Sequence, residues 1–220
     1  MSKNILIFTL ISFIFVVSFI GCNEQEQIPT EASSASIEGE LAPVNTNIGS
    51  IASGELNNSE KEGLLYMIEE EKLARDVYVT LYQKWGLSNF NNISSSEQNH
   101  IDAIKSLISK YSLSNPTEGK AVGEFINQEL QKLYNMLIED GNKSVIDALK
   151  VGALIEEVDI VDLKKHINET DNEDIKLVYS NLMKGSKNHL RSFTSVLAKY
   201  GVIYAPQYLT EEEYNQSVRF

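Results

Sequence analysis

The chain has 220 residues and a formal net charge of −12, with 31 acidic against 19 basic residues. An acidic balance of this size argues against a nucleic-acid-binding surface. The length suffices for one domain with an extension, and only four prolines interrupt the chain, so long helices are allowed. The single cysteine, Cys22, excludes an intramolecular disulfide and a cysteine-rich metal site. Any metal ligands must therefore be Asp, Glu and His.

Residues 1–21 are predicted to be a lipoprotein signal peptide. Lys3 gives a positive start, and the apolar run that follows is short for a membrane span, which needs about 20 apolar residues. The run ends in Phe-Ile-Gly-Cys22, which resembles the lipobox of bacterial lipoproteins and implies that Cys22 is lipidated. An ordinary cleaved signal and an uncleaved anchor are the alternatives. The resemblance implies a protein of the cell envelope, anchored to a bacterial membrane and either periplasmic or surface-exposed.

Residues 22–58 have the composition of a flexible linker, rich in Glu, Ser, Asn and Gln without a sustained period. The folded part is expected over residues 59–201, beginning at a first helix from Ser59 to Trp85. Ser59 and Glu62 have the spacing of a capping box, and Gly86 is a natural stop. The apolar residues of this helix recur at helical spacing: Leu64, Met67, Ile68, Ala74, Tyr78, Leu81, Tyr82 and Trp85.

A glutamate lies in the middle of that apolar stripe. Glu71 would be buried with its neighbours, whereas Glu69 and Glu70 project elsewhere and are expected to stay solvated. A buried carboxylate is costly unless a cation, a metal or a hydrogen-bond donor compensates it. Arg75, one turn away, is the ordinary salt-bridge partner that such a residue would take.

The second helix is predicted to start at Ser95 or Ser96. On its buried face, Glu97 and His100 are three residues apart and project to the same side. A connection with its own helix, over residues 122–139, then crosses to the next long helix.

Two more long helices follow, over residues 144–167 and 175–200. In the first, Glu156 and Asp159 fall inside the apolar arc and Glu157 lies nearly opposite. In the second, Ser186 and His189 occupy the apolar stripe. Residues 202–220 form an acidic and aromatic C-terminal tail.

Four helices therefore each place a titratable group on an otherwise apolar face. A lone His on such a face is more often a hydrogen-bonded core residue than a ligand. Burying ionised side chains from four helices without a counter-charge, however, would cost several kcal/mol for each ion. A shared metal removes that cost. Two metal ions about 3.5–4 Å apart need carboxylates and imidazoles in this mixture. The expected ligands are Glu71, Glu97, His100, Glu156, Asp159 and His189.

Four motifs carry a resemblance to the ferritin-like superfamily, closest to an uncharacterised bacterial and archaeal ferritin-like family. The stretch from Glu71 to Tyr78 is similar to the Glu-x-x-Ala-Arg-x-x-Tyr of rubrerythrin-type proteins, and Glu97-Gln-Asn-His100 is similar to their second-helix Glu-x-x-His. The stretches 148–163 and 185–193 resemble the two later motifs of the uncharacterised family. One departure stands out, because Ser186 occupies the place of the Glu in the second Glu-x-x-His.

The resemblance implies an all-α fold, namely an antiparallel four-helix bundle with a long crossover that carries an extra helix. It implies that the cofactor is iron, in a dinuclear or mononuclear site, or else manganese. It implies that the function is that of an oxidase- or peroxidase-type oxidoreductase or lies in metal handling. Asp159 is a candidate for the carboxylate missing at Ser186. The alternative is a metal-free structural or binding module. The expected partners are a metal ion and the membrane, with a homodimer left open.

Overall fold

The computed structural model describes residue 51 and residues 54–219. This part of the chain contains six α-helices and no β-strand, so the all-α prediction is confirmed. None of these helices has both the length and the apolar character to cross a membrane. The predicted signal peptide, Cys22 and most of the predicted linker lie outside the described residues. The helices are α1 (Asn58–Trp85), α2 (Ser88–Lys110), α3 (Gln128–Gly141), α4 (Val145–Glu169), α5 (Glu173–Lys199) and α6 (Glu211–Val218).

The capping box of α1 lies two residues before the predicted one. The Asn57 side chain accepts the Glu60 N–H at 2.9 Å, and the Glu60 carboxylate accepts the Asn57 N–H at 2.9 Å. Glu60 also accepts hydrogen bonds from Thr170 and Asn172, at the start of α5, and is buried there. This tertiary contact favours the earlier of two possible boxes. The helix ends at Gly86, as predicted, with a left-handed φ of 68°.

The second helix begins at Ser88, earlier than predicted. Its first turns bury Phe90 and Ile93, and the Phe90 ring lies 6.2 Å from Tyr78 and 5.5 Å from Phe193. Burial of these side chains outweighs the weak helix propensity of the local Asn and Ser residues. The residues predicted as a loop are therefore helical.

The crossover is irregular up to residue 127, because α1 carboxylates bind its backbone. Glu69 accepts the N–H of Ile126 at 2.6 Å and that of Asn127 at 3.0 Å, and Asp76 accepts the N–H of Gly123 at 2.9 Å. Glu69 is consequently buried, so the prediction that it stays solvated was wrong. These N–H groups are unavailable to a helix, and α3 begins only after them.

Four long helices surround the interior of the described part. Helix α1 packs on α2 and α4, α5 packs on α4 and α2, α3 contacts α1 and α4, and α6 lies on α5. The buried apolar side chains form two clusters. One includes Leu73 on α1 and Leu190 on α5, and the other includes Ile68 on α1 and Leu182 on α5. A polar layer that contains Glu71, Glu97, His100 and His189 lies between the two clusters along α1, α2 and α5. On α4, Glu156 and Asp159 lie within the stretch of the first cluster, before Leu163 of the second.

The C-terminal segment is anchored to α4 by Glu157. This carboxylate accepts the Tyr204 hydroxyl at 2.6 Å and the backbone N–H groups of Gln207, Tyr208 and Leu209 at 2.9–3.1 Å. Glu157 is 0 % exposed, whereas its place on the helical wheel predicted an outward position. The prediction assumed one buried face, but α4 buries a second face against this segment.

Candidate metal centre

Five of the predicted ligands come together in the polar layer as two groups that share one residue. Ligand atoms of Glu71, Glu97 and His100 lie within 4.8 Å of one another, and so do those of Glu97, Glu156 and His189. All five side chains are buried, and they come from four different helices. Glu97 is therefore the residue around which the cluster is built.

Each oxygen of Glu97 faces one imidazole. His100 Nδ1 lies 2.8 Å from Glu97 Oε2 and 3.1 Å from Glu71 Oε2. His189 Nδ1 lies 2.8 Å from Glu97 Oε1 and 3.4 Å from Glu156 Oε2. The two rings are stacked with their centroids 5.5 Å apart. A carboxylate between two His–Glu pairs has the position of a bridging ligand in a dinuclear site.

Several buried ligand atoms have no hydrogen-bond partner among the described residues. They are Glu71 Oε1, Glu97 Oε1 and His189 Nδ1. Although Glu97 Oε1 and His189 Nδ1 approach to 2.8 Å, they are not aligned as donor and acceptor, so neither is satisfied. Buried polar atoms without a partner are rare in folded proteins and need an explanation. Carboxylate oxygens and imidazole nitrogens converging in this way fit a metal cation.

Burial strongly affects the carboxylates of the cluster. Desolvation raises the pKa of Glu71 to about 7, although the charge of His100 opposes the shift. Desolvation and the charge of Glu97 raise the pKa of Glu156 to about 7. Glu97 behaves differently, because burial is outweighed by the charges of His189 and His100, which lower its pKa. The cluster thus combines one carboxylate whose pKa is lowered with two whose pKa lies near neutral pH.

In the metal-free cluster, the protonated imidazoles provide the positive charge that a metal ion would otherwise supply. Burial lowers the pKa of His189, but the charges of Glu97 and Glu156 outweigh it and raise the pKa to about 10. The pKa of His100 is raised in the same way by Glu71 and Glu97 against its desolvation. Without a cation, the cluster is held together by protons, which a metal must displace because it binds deprotonated ligands.

Arg75 is not the partner of Glu71. Its guanidinium donates to Asp76 at 2.7 Å and to Gln98 at 2.6 Å. The buried Lys72 ammonium also donates to Asp76 and to the Ala121 carbonyl. Lys72 thus contacts the crossover and Arg75 contacts α2, and neither cation donates a hydrogen bond to Glu71. The simple salt-bridge explanation for a buried Glu71 is therefore wrong.

The family described as "Uncharacterized protein domain (DUF2202)" matches residues 60–220. The chain belongs to the DUF2202 family. The protein named "Uncharacterized protein MJ0754" of Methanocaldococcus jannaschii is 54% identical over 171 residues, which are 78% of this chain and 92% of that protein. A solved structure titled "Crystal structure of hypothetical protein MJ0754 from Methanococcus jannaschii DSM 2661" superposes with a TM-score of 0.75 at 54% identity. It covers 77% of this chain and 97% of the solved chain.

The sixth predicted ligand of this DUF2202 domain, Asp159, is not part of either group of three. One of its oxygens accepts a hydrogen bond from Ser186, and the other has no partner among the described residues. Burial and the charges of Glu71 and Glu156 raise its pKa well above the usual range. Asp159 is therefore buried beside the cluster, where the Ser186 hydroxyl donates to it.

A further acidic pair of the DUF2202 domain was missed by the sequence analysis. Glu70 was expected to be solvated, but it is buried and forms a hydrogen bond with Asp162 of α4. Desolvation, then the charges of Asp162 and Asp159, raise the pKa of Glu70 well above its usual range. Two carboxyl groups in contact must share a proton or a cation. No sequence signal distinguishes Glu70 from a surface glutamate, because its partner lies on another helix.

Two neutral side chains support the cluster from outside. The Tyr78 hydroxyl donates to Glu156 Oε1 at 2.6 Å, and Ser96 Oγ lies 2.9 Å from His189 Nε2. The sequence analysis placed Tyr78 in the apolar stripe of the first helix, and the structure confirms its burial. Its position seven residues after Glu71, two turns along the same face of α1, is a sequence signal for a residue near the ligands.

Proposed function

We propose that this DUF2202 protein is a ferritin-like metalloprotein with a dinuclear iron or manganese centre. The observation that carries the proposal is the position of Glu97, which belongs to both groups of converging ligand atoms and presents one oxygen to each imidazole. Glu71 and His100 would hold one ion, Glu156 and His189 the other, and Glu97 would bridge them. This is the division of ligands that dinuclear carboxylate sites in helical bundles use.

The packing of the helices supports a ferritin-like four-helix bundle. Helices α1, α2, α4 and α5 each contribute at least one group to the centre, and each packs on two of the others. The long connection between α2 and α4 corresponds to the crossover, and α3 is its extra helix. The apolar clusters on either side of the centre exclude water from it, which strengthens every electrostatic interaction inside.

A dinuclear iron or manganese site supplies one- and two-electron chemistry with dioxygen or peroxide at its open positions. The residues of this chain would hold the ions: Glu71, Glu97 and Glu156 would balance the cationic charge, and His100 and His189 would each provide a nitrogen ligand. Asp159 would supply the fourth carboxylate in place of the residue lost at Ser186, since one of its oxygens has no partner. We assign the protein to oxidase- or peroxidase-type oxidoreductases or to metal handling.

The location that we propose is the cell envelope. Lipidation of Cys22 would anchor the chain to a bacterial membrane, ahead of the helical domain. Membrane fractionation with a Cys22→Ala variant tests this part of the proposal. The variant should move from the membrane to the soluble fraction, and unchanged fractionation would contradict lipid anchoring.

Metal analysis of the purified full-length chain tests the central proposal. After loading with ferrous iron in the absence of oxygen, or with Mn²⁺, the protein should retain two ions, one for each ligand group. Glu97→Ala should remove both ions, because both groups use this residue. Glu157→Gln is the control, since its carboxylate is also buried but lies on α4 and faces the C-terminal segment. A wild-type protein without bound metal would overturn the proposal.

A metal-free structural or binding module is the second candidate. The observation that favours it is the hydrogen bond between Ser186 and Asp159, which satisfies part of the polar layer without an ion. This function predicts the same melting temperature in chelator and in Mn²⁺. A ligand that binds only the folded state raises the melting temperature, so the two candidates give opposite results in one measurement.

A further inference from the structure

The two halves of the centre differ in what holds their ligands. In the half formed by Glu156 and His189, both side chains have a hydrogen-bond partner outside the centre. Glu156 accepts the Tyr78 hydroxyl at 2.6 Å, and His189 Nε2 faces Ser96 Oγ at 2.9 Å. Outer partners of this kind orient a ligand and raise its affinity for metal.

Tyr78 is itself fixed by its surroundings. Its ring is fully buried, with the centroid 5.2 Å from that of Phe193 and 6.2 Å from that of Phe90. Phe193 occupies the space over Gly152, where an added Cβ would lie only 2.5 Å from the ring. The absence of a side chain at Gly152 therefore allows the aromatic rings to pack on α4. This packing keeps the Tyr78 hydroxyl directed at Glu156 one turn further along.

Ser96 determines which nitrogen of His189 can bind a cation. Because Nε2 lies at hydrogen-bond distance from the Ser96 hydroxyl, that nitrogen can keep its proton. The lone pair of a neutral ring is then on Nδ1, which faces Glu97 and Glu156. When an ion displaces the Nδ1 proton, the Ser96 hydroxyl is in position to accept a hydrogen bond from the proton that stays on Nε2, so Nδ1 is the ligand atom.

The half formed by Glu71 and His100 is held differently. His100 Nδ1 contacts Glu71 and Glu97, which belong to the centre themselves. Glu71 Oε1 is buried without a hydrogen-bond partner among residues 54–219. Its neighbours on the outer side, Glu70 and Asp159, are also carboxylates that have an oxygen without a partner. Among the described residues, no neutral donor makes a hydrogen bond to the Glu71 carboxylate, and the buried Tyr179 hydroxyl, whose pKa is raised by burial and by the Glu71 charge, also has no partner.

We propose that the two cation positions are unequal: the one on Glu156 and His189 is preorganised by Tyr78 and Ser96 and fills first, whereas the one on Glu71 and His100 is the exchangeable position. This inference rests on the proposed dinuclear function and deepens it. Tyr78 and Ser96 are positioning residues, since they act through Glu156 and His189. During loading and release, the protein therefore passes through a state with one ion, which is bound at the Glu156 position.

The experiment is a titration of the metal-free full-length protein with Mn²⁺, in which electron paramagnetic resonance measures the free ion. The wild-type protein should show two separate binding steps. Tyr78→Phe and Ser96→Ala should each weaken the first step by about 10–100-fold, the usual effect of losing an outer partner. Both variants should leave the second step nearly unchanged.

The chain offers a matched control for each variant. Tyr204→Phe removes a tyrosine donor at the same 2.6 Å distance from the neighbouring Glu157, away from the centre. Ser94→Ala removes a buried hydroxyl of α2 that donates to the Asn91 carbonyl. Neither control should change either Mn²⁺ step, and a similar loss in a control would show that general destabilisation explains the result.

The outcomes separate this inference from the proposed function. If the wild-type protein binds no Mn²⁺, or if Glu97→Ala binds as much as wild type, the dinuclear centre itself is wrong. If two ions bind with equal affinity, or if Tyr78→Phe and Ser96→Ala weaken both steps equally or neither step, the centre remains and the inequality of its two positions is wrong.

Discussion

Glu156 and Glu157 are adjacent in α4 and equally inaccessible to water, yet their surroundings are opposite. Glu157 receives the Tyr204 hydroxyl and three backbone N–H groups from the C-terminal segment. Glu156 receives the Tyr78 hydroxyl and otherwise faces an imidazole and the charge of another glutamate. A carboxylate with enough donors joins two parts of a fold, whereas one surrounded by other ligands retains a proton or binds a cation.

Neutralising each glutamate in turn tests most directly whether the two residues have different roles. In chelator, Glu157→Gln should lower the free energy of unfolding by about 3–5 kcal/mol, because the amide group leaves buried N–H donors unpaired. Glu156→Gln should be close to neutral, since the carboxyl already retains a proton near pH 7. Urea unfolding of both variants at pH 7 measures the difference. Equal losses would mean that both residues have the same structural role.

Metal should act on only one of the two environments. With free Mn²⁺ at about 100 times its dissociation constant, binding should add about 2.7 kcal/mol to the free energy of unfolding. Glu97→Ala should abolish this gain, and Glu157→Gln should retain it on a lower baseline. Thermal unfolding with and without Mn²⁺ provides the measurement. A gain that survives in Glu97→Ala would place the bound ion elsewhere.

The pH dependence of the metal-free protein sharpens the comparison further. The folded-state pKa of Glu71 and of Glu156 is about 7, above the ordinary 4.5, so the folded state binds these protons more tightly. Their stabilising contribution is therefore complete below pH 4.5 and is lost as the pH rises to 7, with an effect on the order of 2 kcal/mol.

The difference between wild type and Glu156→Gln in chelator isolates one of these contributions. Wild type should lose more stability than the variant between pH 4.5 and 7. In Mn²⁺ the direction reverses, because the ligands must be deprotonated and the gain from metal grows with pH. If wild type and variant respond identically to pH, Glu156 does not retain a proton in the folded protein.

The smallest expected effect concerns the donors themselves. Tyr204→Phe should cost about 1 kcal/mol, since Glu157 keeps three backbone donors. The loss should be the same with and without Mn²⁺. A Mn²⁺-dependent loss in this variant would show that the C-terminal segment is coupled to the centre.

The sequence analysis predicted the bounds of the long, regular helices best. The predicted bounds of α1 and α5 lie within two residues of the observed ones, because their apolar spacing is regular and Gly86 ends α1. The sequence also predicted that five candidate ligands lie close together, because each of them interrupts an apolar stripe: Glu71, Glu97, His100, Glu156 and His189. The errors fall where a helix buries two faces. Glu69, Glu70 and Glu157 are all buried on faces that the pattern assigned to solvent.

Amino-acid order by itself determined that the described part is helical and that acidic and imidazole groups occupy the buried faces, because helical periodicity fixes which side chains share a face. Only the tertiary structure decided which buried carboxylates are satisfied. Their donors come from residues distant in sequence. Glu69 accepts hydrogen bonds from the crossover, Glu157 from the C-terminal segment and Glu156 from Tyr78. Hydrogen bonds depend on distances of a few tenths of an ångström between such segments, and no local pattern encodes them.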